Sequence, residues 1–286
     1  EFAERFDLLE VRVLLAPQRP YDEILRGLAV LAARYLEGVL QGNAVLAIAG
    51  DFDTGTMLEK ITSYFGEITD KDAPDPTVPQ DPPLGEEKRV SVTGPGETSY
   101  VQISYRAPRA GNPDFFTLTV LDSLLTGPSS LNMFGSGGTT NKTSRLYRAL
   151  VEGEISVSCH GGLQATLDPY LYTIHLTAHP SHTPEEVLVA FDQEIAGILE
   201  SAVKAAEIER SIKQAKALFA YSSENISNQA FWLGYAEIFD NYNWFENYID
   251  HLSTVTPEKA LQIAQEYLHP ANRVVGFYTP AESQAT

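Results

Sequence analysis

Residues 70–83 read DKDAPDPTVPQDPP, with five prolines and four aspartates. Proline fixes its own φ, removes a backbone donor and bars its predecessor from the helical region. Neither a helix nor a central strand survives such a run, so a stiff, extended linker is expected here. It is the sharpest boundary in the 286-residue chain, which is long enough for one large domain or two ordinary ones. The expected division is a first part at 1–69, a linker at 70–85 and a complete domain at 86–286.

The chain repeats a structural phrase on either side of that boundary. Residues 35–53 read YLEGVLQGNAVLAIAGDFD and residues 267–280 read YLHPANRVVGFYTP. Each is a Tyr-Leu closing an apolar-periodic stretch, then a turn, an Asn and a strand-like run. Before the first copy, Ile24, Leu25, Leu28, Leu31, Ala32 and Tyr35 fall near one helical face. Asn43–Ala49 is apolar enough for a buried strand. Met57, Ile61, Tyr64, Phe65 and Ile68 again have helical spacing, and Asp51 and Asp53 are expected to cap that helix rather than to hold a cation. If 257–280 finishes a domain, its echo at 22–50 finishes an earlier, similar one whose first copy is incomplete.

Beyond the linker, KRVSVTG and TSYVQISYR are expected strands. In the second, Val101, Ile103 and Tyr105 alternate with Tyr100, Gln102 and Ser104. Asp114–Leu125 is an expected helix, followed by a Gly/Ser/Thr/Asn loop over 126–143 and a short helix in SRLYRALVEG. ISVSCHGG and PYLYTIHLTAH are two more strands. Thr183-Pro184-Glu185-Glu186 opens a helix with an N-cap Thr, Pro at the first position and Glu at the third. Thr256-Pro257-Glu258 repeats that start before Ala260, Leu261, Ala264, Tyr267 and Leu268, and Arg273–Tyr278 is the closing strand. Strands that arrive in clusters predict an α+β fold, a mostly antiparallel sheet flanked by helices.

Composition removes several function classes. The net charge of −18, from 38 acids against 20 bases, argues against nucleic acid, whose binding needs a basic footprint. No apolar run approaches the length of a membrane-spanning helix. The lone Cys159 excludes an intrachain disulfide and a multi-cysteine metal site, and within ISVSCHG it reads as a small buried hydrophobe. His175 and His179 share a strand face but lie about 13 Å apart, too far for one ion. The loop GPSSLNMFGSGGTTNKTS lacks the Gly-Lys-Ser/Thr ending of a phosphate loop. Phe231, Trp232, Tyr235, Phe239, Tyr242, Trp244, Phe245 and Tyr248 are expected to pack between helices.

Four stretches carry a resemblance that covers about residues 30–280: GNAVLAIAGDFDTGTMLEKITSYFGEI, SYVQISYRAP, TSRLYRALVE and the tail from NQAFWLGYAEIFD to HPANRVVGFYTP. In their order and spacing they resemble the M16 (pitrilysin-like) metallopeptidases, whose members carry tandem duplicated α/β domains. The resemblance implies a catalytic helix bearing His-x-x-Glu-His, with two His holding Zn²⁺ and the Glu activating the bound water. This chain has no such signature. Its nearest string, His182-Thr-Pro-Glu185-Glu186, has Glu in place of the second His, and Pro184 leaves His182 outside the helix. The family's Arg and Tyr, seven residues apart, align with Val151 and Ser156 and are also missing.

The resemblance therefore implies a non-catalytic half or partner subunit that closes a chamber and binds unfolded peptide. No cofactor is expected in this chain; zinc would sit in a catalytic partner or in a front half. The glycine-rich loop resembles that of the non-catalytic subunit of mitochondrial processing peptidase, which makes Gly135, Gly137 and Gly138, with the nearby Arg145 and Arg148, the substrate-binding candidates. Two alternatives stand beside it. The chain would be the C-terminal portion of a single-chain active peptidase, or a structural member like the core subunits of a respiratory complex.

Overall fold

A computed structural model of the chain describes residues 45–66, 79, 81–128, 142–201 and 203–281. These fall into two compact units: one of residues up to position 80 with Ser223–Ile238, the other of Asp81–Ser222 and Phe239 onward.

In the first unit, helix α1 spans Thr54–Phe65. Its N-cap is Asp53, whose Oδ1 accepts from the backbone N–H of Thr56 at 2.9 Å and from its hydroxyl at 2.8 Å. These bonds hold the carboxyl below its usual range. The capping role expected for Asp53 is thus met. The strand expected at 43–49 is corrected: Val45–Ala49 carries no ladder, and Val45 and Leu46 are 44% and 37% exposed. An apolar run becomes a strand only when another strand pairs with its backbone, and no described residue does so here. The helix expected at 22–37 and the linker's core at 70–78 lie outside the described residues.

The second unit is built on a five-stranded sheet. Its strands are β1 (Lys88–Gly94), β2 (Tyr100–Ala107), β3 (Ser156–Leu163), β4 (Tyr170–Ala178) and β5 (Arg273–Pro280), in the spatial order β1-β5-β2-β4-β3. β1 runs parallel to β5, and the other three pairings are antiparallel. The mostly antiparallel α+β fold expected from strand clustering is present. β2 inserts Val101, Ile103 and Tyr105 into the core, each at most 1% exposed, as its alternation required.

Helices cover one face of this sheet. Helix α2 (Asp114–Leu125) is buried from Phe115 to its end, as a central helix must be, and its polar Thr117, Thr119, Asp122 and Ser123 are buried with its apolar residues. Helix α3 (Pro184–Glu200) packs on β2, β4 and β5, and starts with the expected capping box: Thr183 Oγ1 accepts from the Glu186 N–H, and Glu186 Oε2 accepts from the Thr183 N–H. Helix α4 (Ala205–Ser223) follows. Helix α5 (Ile226–Phe239) falls mainly in the first unit, where Phe231 stacks on Tyr235. The short helices α6 (Asn243–Glu246) and α7 (Tyr248–Ser253) precede α8 (Pro257–Tyr267), which packs on α2 and is capped by Thr256. SRLYRALVEG is helical but short, mostly a widened π-type turn at Tyr147–Val151.

Of the aromatic residues expected between helices, Trp232, Phe239, Trp244, Phe245 and Tyr248 are buried, Phe231 and Tyr235 are half-buried, and Tyr242 is corrected to the surface, 50% exposed. Trp244 touches Phe115, Phe116, Phe239 and Tyr248, and its indole N–H donates to Ala110 O at 2.9 Å. A buried indole N–H needs such a partner, so this bond fixes the ring's orientation.

Candidate functional site: the open face of the sheet

Because side chains alternate along a strand, the residues that β2, β4 and β5 do not send into the core point to the opposite face. No described element of the second unit covers that face. Across it, Val90, Gly276, Gln102, His175 and His160 form one row, and Val92, Tyr278, Tyr100, Thr177 and Ser158 form the next. Together they line a groove of about 610 Å³.

The groove is chemically divided. On the β1–β5 side, Val90, Val92 and Tyr100 are 52%, 53% and 48% exposed, and the Tyr100 and Tyr278 rings lie 6.0 Å apart. Tyr278 donates its hydroxyl to Pro95 O at 2.6 Å, which leaves the ring face toward the groove as an anchored apolar wall. On the β3–β4 side the surface is polar. Ser158 Oγ donates to Thr177 Oγ1 at 2.8 Å, and Gln102 Nε2 donates to Ser104 Oγ at 3.3 Å. No lining residue is acidic. A neutral surface with an aliphatic half and a hydrogen-bonding half suits an extended peptide better than a charged ligand.

The polar half depends on one irregularity. The ladder steps from Ser156↔Ala178 directly to Ser158↔Thr177, so Val157 is an extra, bulged residue, 56% exposed. Beyond the bulge, Cys159 pairs with Leu176 on the core side and His160 faces His175 on the open side. Without it, every later β3 residue would change face. His175 is held below the usual imidazole range, first by partial loss of hydration and then by His160.

Cys159 is buried, as its strand context implied, and burial beside Asp122 pushes its thiol up to about 12. Asp122 is fully buried and accepts from Tyr172 Oη at 2.9 Å and from Thr126 Oγ1 at 2.7 Å. This cluster lies in the core and ties α2 to the sheet.

The residues singled out from the sequence do not converge on one place. Gly135, Gly137 and Gly138 lie outside the described residues. Arg145 forms a two-pronged pair with Glu207, Nε–Oε1 at 3.1 Å and Nη2–Oε2 at 2.9 Å, which joins the short helix to α4. Arg148 is exposed on the same short helix. His175 reaches the groove, whereas His179 lies past the end of β4 beside Ser181 Oγ, and His182 faces Glu186. Among the described residues, no group of three or more His, Cys, Asp or Glu is placed to hold a metal ion. His160 was not singled out from sequence: its partner is set by register and by a bulge, and the only visible signal was alternation in ISVSCHGG.

Known proteins extend this geometry. A family model described as the peptidase M16 inactive domain matches residues 32–215, well over half of the chain. Among solved structures, a protease from Helicobacter pylori superposes with a TM-score of 0.68 at 17% identity, covering 81% of this chain and 54% of that one. The chain thus spans about half the length of that protease. The inactive peptidase domain from Bordetella parapertussis aligns at 22% identity over 68% of this chain and 97% of its own, with a TM-score of 0.58. A chain of complex III2 from Candida albicans aligns at 14% identity over 81% of this chain and 53% of that one, with a TM-score of 0.64. A search of curated proteins gives no match. At these identities the structural likenesses speak for the fold alone.

Proposed function

We propose, from the premise that this chain belongs to the M16 peptidase family through its inactive domain, that it acts as the non-catalytic half or partner of a zinc metallopeptidase. Its role is to wall the chamber and bind extended peptide, while the catalytic half supplies the zinc and the general base. The observation that carries this reading is the open face of the sheet. It is a wide, uncharged groove with exposed Val90, Val92 and Tyr100 beside hydrogen-bonding Gln102, Ser158 and Thr177. Such a surface binds by shape and apolar contact, which suits substrates of varied sequence.

Two further elements belong to the same reading. The glycine-rich loop with Gly135, Gly137 and Gly138 admits the peptide, and Arg145 and Arg148 flank it. The residues before position 70 close an earlier, similar domain, and 86–286 is the second. A second reading, a purely structural role in a larger assembly, is favoured by the likeness to the complex III2 chain. A third, the back portion of a single-chain active peptidase, places the zinc-bearing half in the same polypeptide.

The test is fluorescence anisotropy of a labelled, unstructured peptide of about twenty residues titrated with the protein. Saturable binding that is lost in Val92→Asp supports the chamber-wall reading. Absence of binding at any accessible concentration overturns it in favour of the structural role. Co-purification from the source cell with a chain carrying His-x-x-Glu-His identifies the catalytic partner, whereas a native chain that itself carries that signature supports the single-polypeptide reading.

A further inference from the structure

The open face also holds a pair of residues that the peptide-binding reading does not use. His160 on β3 and His175 on β4 are directly opposite one another in an antiparallel ladder, both exposed and both lining the groove. Facing residues in such a ladder have Cβ atoms about 4.5–5.5 Å apart. Two imidazoles at that separation can turn one nitrogen each toward a common point at the ~2.0–2.1 Å metal–nitrogen distance. We propose that the facing imidazoles of His160 and His175 form a two-point site for a single late first-row divalent ion, Cu²⁺, Ni²⁺ or Zn²⁺, on the groove floor.

Two independent features support the site. The first is the bulge at Val157, which turns His160 to the open face and Cys159 to the core. A regular ladder would bury the His and leave the thiol facing His175. Bulges concentrate where a side chain has to be re-aimed. The second is the neighbourhood. Gln102 faces His175 from β2, Ser158 and Thr177 lie one row away, and no lining residue carries a charge. Imidazoles with amide, hydroxyl and water oxygens select borderline transition metals over Mg²⁺ or Ca²⁺, which prefer carboxylates.

Two protein ligands leave the remaining coordination positions open to the groove. The site is thus one for reversible occupancy, unlike the closed four-ligand sets that hold structural zinc. Affinity should follow the order Cu²⁺ above Ni²⁺ and Zn²⁺. It should fall on acidification, because protons compete for the same nitrogens. Nothing in this inference requires peptide binding.

The experiment is calorimetric titration of the whole chain with CuCl₂ and separately with ZnCl₂, at pH 7.5 and 5.5, on wild type, His160→Ala, His175→Ala and His179→Ala. One equivalent per chain is expected, with Cu²⁺ tighter. At least a tenfold loss is expected in His160→Ala and in His175→Ala, none in His179→Ala, and at least a tenfold loss at pH 5.5. The Cu²⁺ form should show two equatorial imidazole nitrogens by electron paramagnetic resonance, and the thermal midpoint of each variant without metal confirms folding. Binding that survives in both His160→Ala and His175→Ala, or no saturable binding in the wild type, overturns the proposal.

Discussion

The guanidinium of Arg273 grips both carboxylate oxygens of Asp192, Nη1–Oδ1 at 2.5 Å and Nη2–Oδ2 at 2.9 Å, and ties the first residue of β5 to the middle of α3. Arg273 is 2% exposed, and it also donates through Nε to Glu87 Oε2 at 2.7 Å and through Nη1 to Tyr105 Oη at 3.1 Å. One planar fork thus joins two strands, a helix and the segment leading into β1. Arginine suits this place because its donors diverge in a fixed plane and its charge is held at any accessible pH.

Arg273→Met should cost about 3 kcal/mol, because it leaves the poorly exposed Glu87 carboxylate without its buried partner. In a domain of this size that lowers the melting temperature by roughly 6–12 °C. Arg273→Lys keeps the charge but loses the fork, and should fall between. Thermal unfolding followed by circular dichroism decides it: a midpoint unchanged in Arg273→Met would mean that the cluster contributes no net stability.

Burial would raise the Glu87 carboxyl, but hydrogen bonds from Arg89 and Arg273 bring it to rest below its usual range. A lowered carboxyl stabilises the fold above its unfolded value of about 4.3 and loses that contribution as pH falls through the folded value. His175 acts in a different window. With its folded value lowered, the unfolded chain binds more protons from about pH 6.5 downward, so stability declines there as the solution is acidified. Denaturant midpoints between pH 7.5 and 5.5 should therefore drop in the wild type and drop less in His175→Gln. Identical slopes in the two proteins would remove His175 as a cause.

Cys159 is predicted to be chemically silent in the native protein. With the thiol near 12, its reactive thiolate is scarcer by about a thousandfold than in an unperturbed cysteine. A thiol-reactive chromophore at pH 8 should label the native chain at least a hundredfold more slowly than the chain in guanidinium. Comparable rates would place Cys159 at the surface and shift the register of β3.

Gly161 follows His160 on β3, and its α-carbon lies against α2. A Cβ there would sit 2.6 Å from Thr126 and 2.7 Å from Asp122 Oδ1. Gly161→Ala should therefore destabilise by about 1–3 kcal/mol, through crowding of the buried Asp122–Thr126–Tyr172 tie. Gly162→Ala, beside it with nothing within 4 Å, should be close to neutral. Equal effects of the two in urea unfolding would contradict the close approach of α2 to β3.

Much of the second unit was legible in the sequence because local chemistry dictates it. Alternation in TSYVQISYR put Val101, Ile103 and Tyr105 in the core, and Thr183 and Thr256 each marked a helix start that the structure caps as expected. Asn43–Ala49 shows where that logic stops: an apolar run states that burial is wanted, while strand formation also needs a neighbour with free backbone groups. The candidate site was the least legible part. His175 stood out only in a pairing with His179 that the strand geometry forbids, and His160 did not stand out at all.

The sequence by itself determined most element types of the second unit, the caps and the lack of a His-x-x-Glu-His zinc signature in these 286 residues, since these follow from residues close together in the chain. Only the tertiary structure decided the strand order β1-β5-β2-β4-β3, the burial of Arg273 against Asp192 and Glu87, and the meeting of His160 with His175. Each of these joins residues that are distant in sequence or turned by a single bulged residue. A shift of one position in register sends every side chain of a strand to the other face, and packing of the whole core selects among those registers.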